Sequence, residues 1–182
     1  MKGRSVRTSR VVRTCAFALV LSCSVAGFGG VGTLTPVGAS NGRTSIHAQR
    51  SVSAASVDSF VRRWTNRYAD YDGRYGAQCV DLFNFYNRDV VHAGFAPVTY
   101  AYQLYNTYDH SRYTRLSASA TPRKGDVAIW NQTSSNPGGH VAILLSKSGS
   151  TLRVFTQNPG PAHIGNLTTT NPGRLLGYLR PR

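Results

Sequence analysis

The stretch Asp70-Tyr-Asp-Gly-Arg-Tyr-Gly-Ala-Gln-Cys-Val-Asp81 decides how the rest of the chain is read. It holds three of the seven acidic residues of the chain, all of them aspartate, and a cysteine at its end. Directly after it, Val80, Leu82, Phe83, Tyr86 and Val90 recur at helical spacing. Cys79 is therefore expected in the first turn of a core-facing helix. Free backbone N–H groups and the helix dipole there favour an anion, which lowers a thiol pKa and makes a nucleophile. The bland reading is a buried cysteine serving as a small apolar side chain.

The same stretch has the spacing of a calcium loop. Counting Asp70 as position 1, Asp72 falls at 3, Arg74 at 5, Gly76 at 7 and Asp81 at 12, the ligand positions of an EF-hand-like loop. Arg74 and Gly76 can offer only backbone carbonyls. Tyr75 stands where such loops carry glycine, and Asp81 where they carry glutamate. Calcium is the expected ion, and no organic cofactor is expected.

The chain around this stretch is basic: 182 residues, a formal net charge of +14 and no glutamate. Its size allows one ordinary core. Positive charge points to an anionic partner: nucleic acid, an acidic membrane or an anionic cell wall. The N-terminus narrows the compartment. Lys2, Arg4, Arg7, Arg10 and Arg13 precede an apolar run from Cys15 to Phe28, and Val37-Gly-Ala39 offers a small-residue cleavage site. That is the three-part pattern of a secretory signal over residues 1–39. Glycines interrupt the apolar run, which argues against a membrane anchor. Export and the absence of a recognised motif argue against nucleic acid. Cleavage leaves 16 basic and seven acidic residues, a net +9, with Cys79 as the remaining cysteine. An exported chain with one thiol has no internal disulfide, which favours a reactive role.

Residues 40–56, poor in large apolar side chains, read as a flexible leader. A helix is expected over Asp58–Tyr68, then the Cys79 helix to about His92, then a third over Thr99–Tyr108. From Pro122 the pattern turns to strands: Val127–Trp130, His140–Leu145, Leu152–Gln157 and Leu175–Leu179. Helices followed by an antiparallel sheet make an α+β layout over 57–182.

A cysteine nucleophile needs a base. His47 lies in the leader, His110 in an Arg-rich stretch and His163 in a Pro/Gly loop. His92 is about 220° round the helix from Cys79. His140 opens an apolar strand after Gly138-Gly139, a glycine loop that leaves room for a substrate, and is the expected base. No acidic residue follows Asp126, so a group orienting the imidazole from downstream is neutral. Asn158 at the end of the next strand fits, with a plain turn as its bland reading. Gln78 and the Cys79 N–H are positioned to donate to an oxyanion.

Taken together, Tyr75-Gly-Ala-Gln-Cys-Val-Asp-Leu82, Pro122-Arg-Lys-Gly-Asp-Val-Ala-Ile-Trp130, Gly139-His-Val-Ala-Ile143, Thr156-Gln-Asn158 and Gly177-Tyr-Leu-Arg-Pro181 resemble a CHAP domain, the cysteine, histidine-dependent amidohydrolase/peptidase family. The resemblance implies a papain-like α+β fold and cleavage of amide bonds in bacterial peptidoglycan. It implies Cys79 as nucleophile, His140 as base, Gln78 on the oxyanion side and Asn158 as a polar orienting residue. It implies calcium in the loop of Asp70, Asp72 and Asp81 in some members, and Trp130 lining the substrate groove. Thr156 stands where some members carry glutamate. The expected protein is a secreted peptidoglycan hydrolase, held near anionic wall polymers by its charge. The alternative is a secreted wall-binding protein that keeps the fold without the activity.

Overall fold

Central strands bury both faces, and this sets the architecture. In the computed structural model, which describes residues 51–182, β2 (Val127–Trp130), β3 (His140–Ser148) and β4 (Thr151–Thr156) lie inside a six-stranded antiparallel sheet. With β1 (Tyr113–Ser117), β5 (His163–Thr168) and β6 (Leu175–Pro181), the order is β1-β6-β2-β3-β4-β5. Alternate residues of β2 point to opposite faces. Val127 and Ile129 join one buried cluster, Ala128 and Trp130 the other. The expected export segment 1–39 and residues 40–50 of the leader lie outside the described residues.

Helices cover the first face. α1 (Ala54–Trp64) places Val57, Phe60 and Val61 against the sheet, and α2 (Cys79–Tyr86) adds Leu82, Phe83 and Tyr86. Both boundaries of α1 differ from expectation. The Ser53 hydroxyl caps it by accepting from the Ser56 N–H at 3.1 Å, so the helix starts before Asp58 and residues 54–56 are not leader. The Asp58 carboxylate instead meets Lys124 at 2.5 Å. The helix stops at Trp64 because Asn66 adopts a left-handed backbone, φ 62°.

α2 also ends early. A π-helical turn, Asn87–Val91, follows it, and His92 closes the segment at φ 57°. Asn87 is buried: its amide donates to Gly94 O, and its Oδ1 accepts from the Tyr113 hydroxyl. The third helix is shorter than expected and of 3-10 type, Ala101–Tyr105. Two strands, β1 and β5, were not expected at all. They are the two edges of the sheet, and each carries a half-exposed, largely polar sequence. Among the described residues no helix is long and apolar enough to cross a membrane.

One buried ion pair ties the last strand to the turn before β2. Asp126 is fully buried and takes Arg180 Nε at 3.0 Å and a second guanidinium nitrogen at 2.8 Å, together with the Arg123 backbone N–H at 2.9 Å. Asp126→Asn keeps the shape but removes the charge that Arg180 faces. It is expected to lower the unfolding free energy by about 2 kcal/mol, the worth of a charged hydrogen bond. Urea unfolding of the two proteins measures this, and an unchanged midpoint refutes it.

Candidate active site

The N-terminus of α2 meets the start of β3. Gln78 is the N-cap, Cys79 the first helical residue and Asp81 the third. The Asp81 carboxylate accepts the Gln78 backbone N–H at 2.8 Å, which fixes the helix start. Gln157, completely buried at the end of β4, holds the preceding loop at both ends. Its Oε1 accepts from Ala69 N–H at 2.7 Å, and its Nε2 donates to Ala69 O and Gln78 O, each at 2.8 Å. Sequence reasoning assigned Gln157 nothing. Its one signal is its place between Thr156 and Asn158.

Cys79 is 8% exposed, and the Val141 backbone N–H, one residue beyond His140, points at its sulfur. Burial pushes the thiol up to about 11, against the opposing pull of the backbone N–H groups of Val141, Val80 and Cys79 itself, with Asp81 adding to the rise. The expected lowering by the helix terminus is therefore reversed: desolvation outweighs the N–H groups. Cys79 rests as a neutral thiol.

His140 is buried on β3, and its Nε2 lies 2.6 Å from Thr156 Oγ1. Burial pushes the imidazole down to about 4, with a further lowering from His163. It too is neutral at neutral pH. In the tautomer that donates Nε2–H to the threonine hydroxyl, Nδ1 carries the lone pair and is the basic nitrogen. Cys79 and His140 are not hydrogen-bonded to each other in this resting arrangement, a looseness common in substrate-free sites.

The group that meets the His140 ring is Thr156, whereas the expected partner, Asn158, meets Gln78. Asn158 has φ 65°, and its side chain swings away to donate to Gln78 Oε1 at 3.0 Å. Gln78 Nε2 also donates to Tyr75 O at 2.9 Å. Asn158 and Tyr75 O therefore fix the Gln78 amide beside the first N–H groups of the helix terminus.

Trp130 does not line a groove. It is completely buried, and its Nε1 donates to Thr168 O at 2.7 Å. As the last residue of a central strand it packs into the second buried cluster. Gly139 also departs from expectation. It sits at φ 64°, where a Cβ would lie 2.6 Å from Trp130 O and 3.1 Å from Tyr102 Cβ. Gly139 thus serves close backbone packing, while at Gly138 a Cβ would meet nothing nearer than Tyr100 Cδ1, 3.8 Å away.

Asp70, Asp72 and Asp81 do converge, with carboxylate oxygens within 4.8 Å of one another. Asp70 accepts Gly73 N–H and Asp72 accepts Arg74 N–H, so the loop wraps on its own carboxylates. Burial raises the Asp81 pKa, and Asp72 and Asp70 raise it further. Tyr75 takes φ 61°, the left-handed turn for which glycine is usual at that position. Three clustered carboxylates without a nitrogen or sulfur donor fit a hard, oxygen-seeking cation.

The CHAP domain family matches residues 67–158. Comparison with curated proteins returns no match. Among solved structures, the wild-type endolysin LysIME-EF1 superposes with a TM-score of 0.59 at 24% identity, over 71% of this chain and 64% of that one. Ly7917 gives a TM-score of 0.55 at 18% identity, over 70% and 61%. Ly7917 with the hydrolyzing product of MDP gives 0.54 at 19%, over 71% and 62%. This chain spans less than two thirds of each of those proteins, and the likeness is one of fold. With its α+β architecture and a family match across half its length, the chain belongs to the CHAP domain family.

Proposed function

We propose that the protein is an exported peptidoglycan hydrolase that cuts amide bonds of the wall peptide with Cys79 and His140. The observation that carries this is a buried thiol at a helix N-terminus, met by the backbone N–H of Val141, one residue past a strand-borne imidazole that contacts Thr156, in a CHAP-family domain. Residues 1–39 would direct export, and the positive charge would favour anionic wall polymers.

The chemistry starts from a neutral pair. His140 Nδ1 takes the thiol proton as Sγ attacks the amide carbon, because an isolated thiolate is unfavourable in so buried a site. The tetrahedral oxyanion faces the Cys79 N–H and the Gln78 amide. His140 passes its proton to the departing amine, leaving a thioester on Cys79. Water then loses a proton to His140, adds to the thioester and frees the carboxylate, and the proton returns to sulfur.

Calcium would be held by Asp70, Asp72 and Asp81, with carbonyls of Arg74 and Gly76 as further ligands. It would relieve the repulsion at Asp81 and fix the loop that enters α2. The assay is release of new amino groups from purified peptidoglycan, with calcium and with chelator. The expected outcome is amine release that falls roughly tenfold or more in chelator and returns with calcium. No release from any wall type would overturn the hydrolase reading. Full activity in chelator would overturn the calcium assignment alone. The wall-binding alternative draws support from the burial that keeps Cys79 protonated, and it predicts binding without amine release.

A further inference from the structure

Next to His140 lies a surface that the catalytic groups do not use. Tyr100, 44% exposed, stacks on Tyr102 with ring centroids 5.8 Å apart and planes 11° apart. The pair is fixed to the base-bearing strand. Tyr102 N–H donates to Gly138 O, and Tyr100 Cδ1 lies 3.8 Å from the point where a Gly138 Cβ would stand. Gln103 Oε1 accepts the backbone N–H groups of both Thr99 and Tyr100, so the more exposed ring has a rigid base. On the other side Asn136 Nδ2 donates to Gly139 O and ties down the polar loop before His140.

The charge pattern says what this surface takes. Residues 99–108 and 131–139 contain no charged side chain in a chain of net charge +14. They supply tyrosines with threonine, serine, asparagine and glutamine. A peptide carboxylate or a phosphate polymer would be matched by arginine, and the arginine against these segments, Arg115, is taken up by Asn106 and the Tyr105 ring rather than placed at Tyr100. A neutral, hydroxyl-rich ring offers C–H groups to an aromatic face and hydroxyl and amide groups to its polar rim. With Trp130 buried, this pair is the aromatic surface beside the base.

We infer that Tyr100, backed by Tyr102, is a subsite for an N-acetylated sugar ring of the glycan strand, seated beside Gly138-Gly139-His140. The inference rests on the hydrolase reading for its consequence: the bond presented to Cys79 is then one close to the glycan.

The test separates the two. In the full-length Cys79→Ala protein, titration with an N-acetylglucosamine tetramer, followed by tyrosine ring signals and calorimetry, is expected to show saturable binding. Adding Tyr100→Ala weakens it roughly tenfold, and Tyr100→Phe, which keeps the ring, restores most of it. In the active protein, Tyr100→Ala lowers the ratio of kcat/KM on glycan-linked peptide to kcat/KM on the same peptide without sugar by roughly tenfold, chiefly through KM. General damage to the fold cancels in that ratio. Absence of sugar binding, or an unmoved ratio, overturns the subsite. Sugar binding that depends on Tyr100, in a protein that hydrolyses nothing, supports the subsite and overturns the hydrolase reading alone.

Discussion

Alanine at Cys79 is expected to reduce amine release from peptidoglycan by about four orders of magnitude, the scale of losing a nucleophile from a cooperating set. The site has no substitute for the sulfur. Gln78 is an amide and the nearby carboxylate, Asp81, caps the helix from below. The fold loses little, because alanine fits a buried position at the first turn of α2 and removes only a small apolar contact. The thermal midpoint is expected to move by a few degrees at most. Measured together, the two readouts separate chemistry from folding. A variant that keeps even a tenth of the wild-type rate contradicts the assignment.

The second large effect belongs to Thr156. Valine has the same shape but cannot accept from His140 Nε2, so Thr156→Val leaves a buried N–H without a partner. The imidazole then has less reason to keep its proton on Nε2, and the tautomer with Nδ1 protonated cannot accept from the thiol. The expected loss in kcat/KM is roughly a hundredfold, with Thr156→Ser close to wild type. Thr156→Glu tests the same contact in the opposite direction. A carboxylate beside the ring favours imidazolium, so the His140 pKa rises from its value of about 4. The acid limb of the pH–rate profile, where the base is lost to protonation, then moves to higher pH. An Asn158 substitution is not expected to move that limb, since Asn158 contacts Gln78.

The sequence carried the centre of this fold better than its margins. β2, β3 and β4 are internal strands whose apolar runs report burial on both faces. β1 and β5 are edges, and Tyr113-Thr-Arg-Leu-Ser117 reads as surface because much of it is surface. His163 follows Asn158-Pro-Gly-Pro161 and so reads as loop, yet it opens β5 opposite Thr156 and contributes to the field at His140.

Within the site, residue types and spacing singled out Cys79, His140 and the three aspartates, and the fold brings the aspartates together. They did not separate Thr156 from Asn158. Two residues apart, these would share a strand face, but the left-handed backbone at Asn158 turns its side chain to the other bank. Nor did the sequence weigh burial against the helix terminus at Cys79. A dipole argument is local and visible in a motif, whereas burial depends on what the fold packs over Cys79, and even the Val141 N–H that opposes the rise comes from more than sixty residues away in the chain. Trp130 was misplaced through the same blindness: a motif marks a residue, and only the register of β2 against β3 says which face it occupies.

The account stands most directly on one thiol doing the chemistry. Full-length protein is treated with iodoacetamide for increasing times. Each sample is divided between peptide mapping, which gives the fraction of Cys79 alkylated, and amine release from peptidoglycan. The prediction is a straight line, with residual activity equal to the fraction of Cys79 left free and zero activity at complete modification. Retained hydrolysis with Cys79 fully alkylated would contradict the account.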